Sequence, residues 1–214
     1  GNKRGALADI RVRRVDGTDV WLDVNISYID TEQDAFVLLV FTDVTEKRQT
    51  ADRLAEMATT DELTGLLNYR TFYAWLSGAI ETALLNNTPV SLLFIDVDNF
   101  KKCNDTYGHQ TGDALLRAVG KIVRQAVRTN DRAFRYGGDE FAVIVHGNAS
   151  AAACAAERIR ERFSQTENYG TSLSVVVAEY RGGMDAKAFV KAADEALYRA
   201  KASGKNAVFR ADAV

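Results

Sequence analysis

The chain has little proline and little cysteine. Its 214 residues include one proline and two cysteines, Cys103 and Cys154. The two cysteines are far apart in the sequence and lack the close spacing of metal-binding pairs, which argues against a zinc site. Reduced thiols in a cytosolic protein are therefore expected.

Long apolar runs and net charge are also missing. No run approaches the ~20 apolar residues of a membrane helix, and no signal peptide is visible. The 27 basic and 29 acidic side chains give a formal net charge of −2. This balance provides no general attraction to nucleic acid or to anionic membranes. We therefore expect no nucleic-acid partner and no membrane segment in this chain, and any recognition of phosphate must come from a local cluster of cations.

The remaining composition is that of an ordinary globular protein. Hydrophobic residues make up 47% of the chain and charged residues 26%, which are usual fractions for such proteins. The length allows one or two domains. Because the chain starts at Gly1 without a methionine, we expect it to be a piece of a longer protein.

Residues 1–44 show the alternation of β-strands. Two strands are predicted around Asp16-Gly17, a strong hairpin signal, and residues 35–44 (AFVLLVFTDV) predict a third, more buried strand. Residues 45–60 then predict a connecting helix in which only Leu54 and Met57 are large and apolar. This helix is either a solvated connector or a short dimerisation coiled coil.

From residue 61 the sequence alternates between helix and strand. The predicted helices cover 71–85, 112–128, 151–163 and 186–202, and the predicted strands cover 90–97, 132–136, 140–145, 171–180 and 207–210. Alternation of this kind with one internal hairpin predicts an α/β sandwich with a mixed sheet of about five strands.

Two acidic stretches are candidates for a metal site. Asp96 and Asp98 lie at the end of an apolar strand, and Asp139 and Glu140 follow two glycines. Residues i and i+2 of a strand point to the same face, so neighbouring strands would bring these carboxylates together. Their mutual repulsion would require a cation, and hard oxygen ligands suit Mg²⁺ or Mn²⁺. Alternatively, acidic residues simply end strands at the solvent surface.

The segment 101–113 (KKCNDTYGHQTGD) is predicted to be a loop that enters a helix N-terminus, a position that favours anions. Asn104 offers donors and acceptors, and Asp113 can accept two hydrogen bonds, so the pair suits the edge of a guanine base. Alternatively, Asn104 and Asp105 form a turn and Asp113 caps its helix.

Cations and glycines could complete a phosphate site. Lys101 follows the carboxylate strand, and Lys201 and Lys205 lie near the end of the last helix, where lysine is also common because of the helix dipole. Gly137 and Gly138 would let phosphates approach the backbone, although a hairpin turn would use the same glycines.

Arg128 and Asp131 stand three residues apart at the end of the predicted helix 112–128. They are either a weak surface ion pair or part of a site in which the arginine stacks on a base and binds phosphate.

Together these stretches resemble the diguanylate cyclase family. The resemblance rests on GGDEF at 137–141, DELTGLLN at 61–68, FIDVDNFKKCNDTYGHQTGD at 94–113 and ADEALYRAKASGKN at 193–206. It implies an α/β (α+β) fold over 61–214 that is related to the polymerase palm and to class III nucleotide cyclases. It also implies condensation of two GTP into cyclic di-GMP by a homodimer in which each protomer presents one GTP.

The resemblance assigns roles to the acidic stretches. Asp96, the Val97 carbonyl and Asp139 would hold Mg²⁺ (or Mn²⁺), and Glu140 would assist a second metal or activate the 3′-hydroxyl. In-line attack on an α-phosphate needs charge neutralisation and positioning more than covalent help.

The same resemblance assigns the nucleotide contacts. Asn104 and Asp113 would read guanine, with His109 nearby. The GTP phosphates would be held by lysines, by the glycine pair and by backbone N–H groups near one aromatic residue: Lys101, Lys201, Lys205, Gly137, Gly138 and Phe100. Arg128, Asp131 and Arg158 would form an inhibitory site for the product, cyclic di-GMP.

Residues 1–44 resemble the C-terminal part of a PAS sensor domain, which would regulate the catalytic domain through the linker helix at 45–60. The expected location is cytoplasmic, either alone or as the cytoplasmic part of a larger, membrane-bound sensor. The chain departs from the cyclase family at Tyr69 (usually arginine), Val176 (usually glycine) and Lys205 (commonly arginine).

Two other functions compete with an active diguanylate cyclase. One is a catalytically silent module that binds GTP or cyclic di-GMP and signals by contact. The other is a cyclase that makes a mononucleotide ring from ATP, against which Asn104 and Asp113 argue.

Overall fold

The structure is a computed structural model, and it describes residues 4–30, 34–202 and 204–211. The chain divides into two compact units, Gly1–Ala58 and Thr59–Val214. None of the helices in the described ranges is both long enough and apolar enough to cross a membrane.

The first unit is a three-stranded antiparallel sheet followed by a helix. Its elements are β1 (Arg4–Arg13), β2 (Asp19–Asp30), β3 (Ala35–Asp43) and α1 (Thr45–Thr59), and the strand order is β1-β2-β3. The predicted hairpin at Asp16-Gly17 is confirmed. The Asp16 carboxylate accepts a hydrogen bond from the Thr18 N–H at 2.9 Å, and Gly17 has a φ of +85°, which favours glycine.

The prediction that β3 is the more buried strand is wrong. All nine of its residues are exposed, although its sequence is apolar on both faces. A continuous apolar pattern indicates cover on both sides, and the described residues of this unit do not supply it. The side chains of Leu54 and Met57 lie outside the described residues, so connector and dimerisation helix both stay open for α1.

The second unit is a six-stranded mixed sheet with helices on both faces. Its strands are β4 (Leu67–Asn68), β5 (Ser91–Asp98), β6 (Arg132–Arg135), β7 (Glu140–Val145), β8 (Ser172–Glu179) and β9 (Val208–Arg210). Its helices are α2 (Tyr69–Asn86), α3 (Phe100–Tyr107), α4 (His109–Ala126), α5 (Ala149–Ser164) and α6 (Ala186–Ala202). The strand order is β4-β6-β7-β5-β8-β9, with parallel pairs only at β4/β6 and β8/β9. The predicted mixed α/β sheet is confirmed, with the two-residue β4 as an additional strand.

Strand β5 is the centre of this sheet, and all eight of its residues are buried. Leu92 and Phe94 pack into the core with α2 and α6, while Leu93, Ile95 and Val97 pack into the opposite core with α4 and α5. Since side chains alternate along a strand, Asp96 and Asp98 follow Phe94 on the α2/α6 face. The sheet therefore delivers two carboxylates to one end of its most buried strand.

The predicted loop at 101–113 is largely helical, which corrects the prediction. Residues Phe100–Tyr107 form α3, and α4 begins immediately after Gly108, whose φ is +84°. Asn104 lies inside α3 and Asp113 inside α4, so neither the turn nor the capping alternative holds. Asn, Asp and Gly favour turns, but Phe100 and the buried Cys103 place an apolar face on the core, and this packing prevails.

Replacing a helical glycine with alanine should have opposite effects on stability at two positions, Gly120 and Gly78. A Cβ on Gly120 in α4 would stand 2.8 Å from the Thr64 Cβ, whereas a Cβ on Gly78 in α2 would meet nothing within 4 Å. We expect Gly120→Ala to destabilise the protein by about 1–3 kcal/mol because of overpacking. Gly78→Ala should stabilise it by about 0.5–1 kcal/mol through helix propensity. Chemical denaturation followed by circular dichroism measures both, and equal shifts of the two midpoints would contradict the close packing of α4 on Thr64.

Candidate functional site

The acidic turn, residues 137–140 in the hairpin of β6 and β7, lies beside the end of β5. Asp96 pairs with Glu140 in the antiparallel register of β5 and β7, and the Val97 N–H donates to the Asp139 carbonyl at 3.1 Å. The Tyr136 N–H donates to the Glu140 carbonyl at 2.8 Å and closes the hairpin. Partners in antiparallel register share a face of the sheet. The carboxylates of Asp96 and Glu140 therefore stand next to each other.

A lysine neutralises the buried end of this group. The Lys201 Nζ lies 2.5 Å from the Asp96 carboxylate, of which only 9% is exposed. Burial raises the pKa of Asp96, and the charges of Asp139 and Asp98 raise it further, while Lys201 opposes the rise. Burial also raises the pKa of Glu140, with added repulsion from Asp96 and Asp139. The acidic group is thus under electrostatic strain that a cation would relieve.

Asp98 is bound by hydrogen bonds and not by a lysine as Asp96 is. Its buried carboxylate accepts hydrogen bonds from the hydroxyls of Ser172 at 2.7 Å and Ser174 at 2.8 Å, and from the Asn206 N–H at 3.1 Å. These contacts attach the segment after α6 to the end of β5. Nearby, the Lys205 Nζ donates to the Asn99 side-chain oxygen at 2.9 Å. Asp98 therefore holds the lysine-bearing segment at the site and is not a free metal ligand.

An ion pair between Arg135 and Asp61, which the sequence did not predict, supports the turn. The Arg135 guanidinium contacts the Asp61 carboxylate at 3.0 Å and donates to the Gly138 carbonyl at 2.7 Å. Although burial opposes it, hydrogen bonds from Thr64 and the charge of Arg135 lower the pKa of Asp61. The signal was present in the sequence, since Asp61 opens DELTG and Arg135 stands two residues before the glycines. Asp61 and Arg135 are 74 positions apart in the sequence, so only the folded structure shows that they pair.

The two glycines of the turn are not needed for the hairpin itself. Neither Gly137 nor Gly138 has a positive φ. A Cβ on Gly137 would approach the Glu140 carboxylate to 2.6 Å, and a Cβ on Gly138 would meet nothing within 4 Å of the described residues. The bare backbone at Gly138 therefore leaves room for a ligand, which the turn geometry alone does not require.

Asn104 of α3 and Gly112 of α4 form a polar cradle between the two helices. The Asn104 Oδ1 is buried and has no hydrogen-bond partner among the described residues. It lies against Gly112, where a Cβ would come within 1.9 Å of this oxygen. Asp113 follows at the exposed surface of α4, and His109 begins that helix and is also exposed. A buried acceptor without a donor is costly, so this cradle fits a ligand that donates a hydrogen bond.

The acidic residues fit a divalent cation in chemistry but are not arranged around one. Within residues 4–30, 34–202 and 204–211, no group of three or more His, Cys, Asp or Glu side chains is close enough to hold a metal ion. Asp96 faces Lys201 instead. The oxygen donors and the raised carboxyl pKa values suit Mg²⁺ or Mn²⁺. A cation that bound Asp96 would have to displace the Lys201 ammonium group.

The arginine cluster lies elsewhere, after the end of α4. An open cleft of about 390 Å³ is lined by Arg124, Arg128, Asp131 and Arg132, among others. The Asp131 carboxylate is buried and accepts hydrogen bonds from the backbone N–H groups of Arg128 at 3.0 Å and His146 at 3.1 Å. It forms no ion pair with the Arg128 guanidinium in the described structure, so the surface ion-pair alternative is wrong.

Arg158 of α5 does not line this cleft and instead contacts the end of α4. Its Nε donates to the Ala126 carbonyl at 3.2 Å, at the last residue of α4. Arg158 thus satisfies a carbonyl at a helix C-terminus, where a positive charge is favourable.

Comparison with known proteins identifies the family of this chain. The model of the family "Diguanylate cyclase, GGDEF domain" matches residues 58–207, and these residues contain the turn, the cradle and all three site lysines. The chain belongs to the GGDEF diguanylate cyclase family. The diguanylate cyclase DgcS of Shewanella oneidensis is 44% identical over 149 residues, which are 68% of this chain and 50% of DgcS. The response regulator PleD of Caulobacter vibrioides is 43% identical over 171 residues, or 75% of this chain and 38% of PleD.

Solved structures agree with this assignment. The coiled coil and GGDEF domain of DgcB from Caulobacter crescentus, in complex with c-di-GMP, superposes with a TM-score of 0.72 at 35% identity. The match covers 78% of this chain and 93% of the DgcB chain. The chain spans about half the length or less of the curated relatives described above.

The GGDEF domain accommodates its departures from the family pattern. Val176 is fully buried in β8 and pairs with Phe94 of β5 on one side and with Phe209 of β9 on the other. Tyr69 begins α2, and its ring packs edge-on against Tyr136 with centroids 5.0 Å apart. Both residues therefore join apolar packing.

Because Glu140 of the GGDEF turn is repelled by neighbouring carboxylates, replacing it with a neutral residue should raise the stability of the folded protein in a pH-dependent way. Its pKa in the folded protein lies above the ordinary value of 4.5, so ionisation of this carboxyl favours unfolding. We expect Glu140→Gln to stabilise the metal-free protein by roughly 0.5–1 kcal/mol near pH 7, a small value because the carboxyl is only half-buried. The gain should become small near pH 4, where Glu140 is mostly protonated in both the folded and the unfolded state.

Denaturation at the two pH values measures this difference. Glu81→Gln is the matched control, since Glu81 is exposed on α2 and should change stability by less than about 0.5 kcal/mol. Equal effects of Glu140→Gln at both pH values would contradict the electrostatic origin.

Proposed function

We propose that this chain is an active diguanylate cyclase, which condenses two GTP into 3′,5′-linked cyclic di-GMP and two pyrophosphates. The observation that carries the proposal is the Asp96–Lys201 contact of 2.5 Å beneath the GGDEF turn. In the absence of substrate, Lys201 serves as an internal counter-ion for the buried carboxylate. Asp96 would be one of the groups that hold a divalent cation, and the Lys201 ammonium group would then be free to pair with a phosphate oxygen.

Guanine is read in the cradle between α3 and α4. The buried Asn104 Oδ1 lacks a donor in the described structure, and the N1–H and N2–H₂ groups of guanine are donors. The exposed Asp113 carboxylate accepts further hydrogen bonds from the same edge, with His109 nearby. A site built to accept hydrogen bonds rejects bases that cannot donate them, because its buried polar groups would stay unpaired.

The phosphates lie between the cradle and the turn. Lys101, Lys201 and Lys205 supply positive charge at the end of β5. Backbone N–H groups near Phe100 and the glycine backbone at Gly137 and Gly138, which is unobstructed at Gly138, supply close contacts. The chain has a net charge of only −2, so this local cluster provides the attraction for GTP.

The reaction is an in-line attack of the 3′-hydroxyl of one GTP on the α-phosphorus of the other, with pyrophosphate as leaving group. Asp96, the Val97 carbonyl and Asp139 would hold Mg²⁺ or Mn²⁺, which stabilises the negative charge that develops on the phosphate. The Glu140 carboxylate either assists a second cation or accepts the proton of the attacking hydroxyl. Its raised pKa suits it to proton transfer.

A homodimer follows from the symmetry of this reaction. The GGDEF domain holds one guanine cradle and one acidic turn, whereas the product joins two guanine nucleotides. Two protomers must therefore present their GTP molecules to each other. The first unit, as a PAS-like fragment, and α1 would control this encounter in response to a signal received by a longer, cytoplasmic chain.

Incubation with GTP and Mg²⁺, followed by chromatography of the nucleotides, tests the proposed activity. Asp139→Ala should reduce turnover by at least about 10³-fold because a charged metal ligand is lost. Glu81→Ala, at an exposed position of α2, should leave turnover unchanged.

The same assay decides between the competing functions. Absence of cyclic di-GMP at high protein concentration, where dimers form, would favour the silent nucleotide-binding module. Formation of a cyclic mononucleotide from ATP would favour the third function.

We also propose that cyclic di-GMP inhibits the enzyme at a site formed by Arg128 and Asp131 of the cleft after α4 together with Arg158. Two features support this: the Arg128 guanidinium is free of ion pairs among the described residues, and the cleft beside it is open. The related DgcB structure contains c-di-GMP. Because Asp131 accepts backbone N–H groups on both sides, it also fixes the conformation from which Arg128 projects.

Arg128→Ala should leave the initial rate unchanged and abolish the slowing of the reaction as product accumulates. The expected loss of product affinity is at least about tenfold, since an arginine–phosphate contact is removed. Progress curves with added cyclic di-GMP measure it. Undiminished inhibition in this variant would remove Arg128 from the product site.

A further inference from the structure

An aromatic cluster lies directly behind the GGDEF turn. Tyr136, the residue before Gly137, packs its ring against Phe94 of β5 and Phe72 of α2, with centroid distances of 4.8 Å and 5.2 Å. Its hydroxyl group lies 2.9 Å from the hydroxyl of Tyr73, also on α2. Burial and this hydrogen bond raise the pKa of Tyr136 far above its usual value, so the phenol is neutral. The cluster therefore fixes the orientation of the Tyr136 ring.

The outer side of the cluster is closed by Tyr69. Its ring is edge-on to Tyr136 at 5.0 Å and to Tyr73 at 5.7 Å, and about half of its surface is exposed. Edge-to-face contacts of this kind stabilise a defined ring geometry beyond the burial of area. The rings that carry the hydrogen-bonded hydroxyl groups of Tyr73 and Tyr136 are both in contact with Tyr69.

Tyr136 contacts both the strand that carries Asp96 and the turn that carries Glu140. Its backbone N–H donates to the Glu140 carbonyl at 2.8 Å, and antiparallel partners of this type share a sheet face. The Tyr136 phenol is close enough to the Glu140 carboxylate to interact with it electrostatically. On the other side it contacts Phe94, which precedes Asp96 by two residues on the same face of β5. One ring thus links the strand of Asp96 to the turn of Glu140.

We propose that Tyr136, held by the Tyr73 hydroxyl, is a positioning residue that sets the spacing between Glu140 and Asp96 and so the affinity of the site for its divalent cation. The inference rests on the proposed function, since it assumes that these carboxylates hold a metal. Tyr136 does not contact the nucleotide or the cation. It acts through the turn that it anchors.

The test measures Mn²⁺ binding together with a non-hydrolysable GTP analogue, by the loss of the electron paramagnetic resonance signal of free Mn²⁺ beyond the loss that the analogue causes without protein. We expect Tyr73→Phe to weaken Mn²⁺ binding about fivefold, the usual worth of one hydrogen bond that holds a conformation. Tyr180→Phe is the matched control. Its hydroxyl also makes one hydrogen bond, to the Met184 carbonyl at 2.8 Å, and its N–H bonds to Val90, before the opposite end of β5.

The double variant Tyr73→Phe/Tyr136→Phe separates positioning from stability. It leaves neither hydroxyl unpaired, so its melting temperature should recover towards that of the wild type. Its Mn²⁺ affinity should stay low, because the link between α2 and the turn is still missing. Mn²⁺ affinities of all variants equal to that of Tyr180→Phe would overturn the proposal and leave the tyrosines a purely structural role.

The same measurements distinguish this inference from the proposed activity. If the wild type binds Mn²⁺ with the analogue but makes no cyclic di-GMP, the activity fails and the positioning role is still decided by the variants. If the wild type binds no Mn²⁺ with the analogue, the metal assignment fails and this inference is overturned with it.

Discussion

The burial of β5 is the constraint on which the rest of the site depends. A strand covered on both faces ends in Asp96 and Asp98, and two carboxylates cannot remain buried and charged without partners. The fold supplies a different partner to each. Lys201 of α6 neutralises Asp96, and the hydroxyls of β8 with one backbone N–H saturate Asp98. Both solutions draw the end of α6 to the end of β5, which brings the lysine-bearing segment to the acidic turn.

Most of the larger unit could be predicted from the sequence because its signals are local. The apolar runs and helical spacings between residues 71 and 210 indicated each long element within a few residues of its observed bounds. The two-residue β4 escaped because a strand of that length has no periodicity of its own. The helix α3 escaped because Asn104, Asp105 and Gly108 are turn-forming types, and only the packing of Phe100 and Cys103 on the core overrides them.

The positions of the site residues could be predicted more fully than their partners. The sequence indicated that Asp96 and Glu140 would be near each other, since strands and hairpins follow from pattern. It could not indicate that the carboxylates of Asp98 and Asp131 accept hydrogen bonds from within the chain. Nor could it indicate that Asp61 forms an ion pair with Arg135 next to the turn. These choices depend on contacts between residues far apart in sequence. For the same reason, the apolar β3 looked buried, because its sequence shows what it can pack against but not whether that surface is present.

Strand β3 also gives the smaller unit an exposed apolar edge. Within the described residues it is the terminal strand of its sheet, and residues 35–42 contain no charge and no proline. The opposite terminal strand, β1, carries Arg11 and Arg13, which discourage another chain from adding to that edge. An uncharged, exposed edge of high β-propensity is a template for intermolecular strand pairing. Residues 36–41 are therefore the exposed apolar part of this edge that is best suited to pair with another chain.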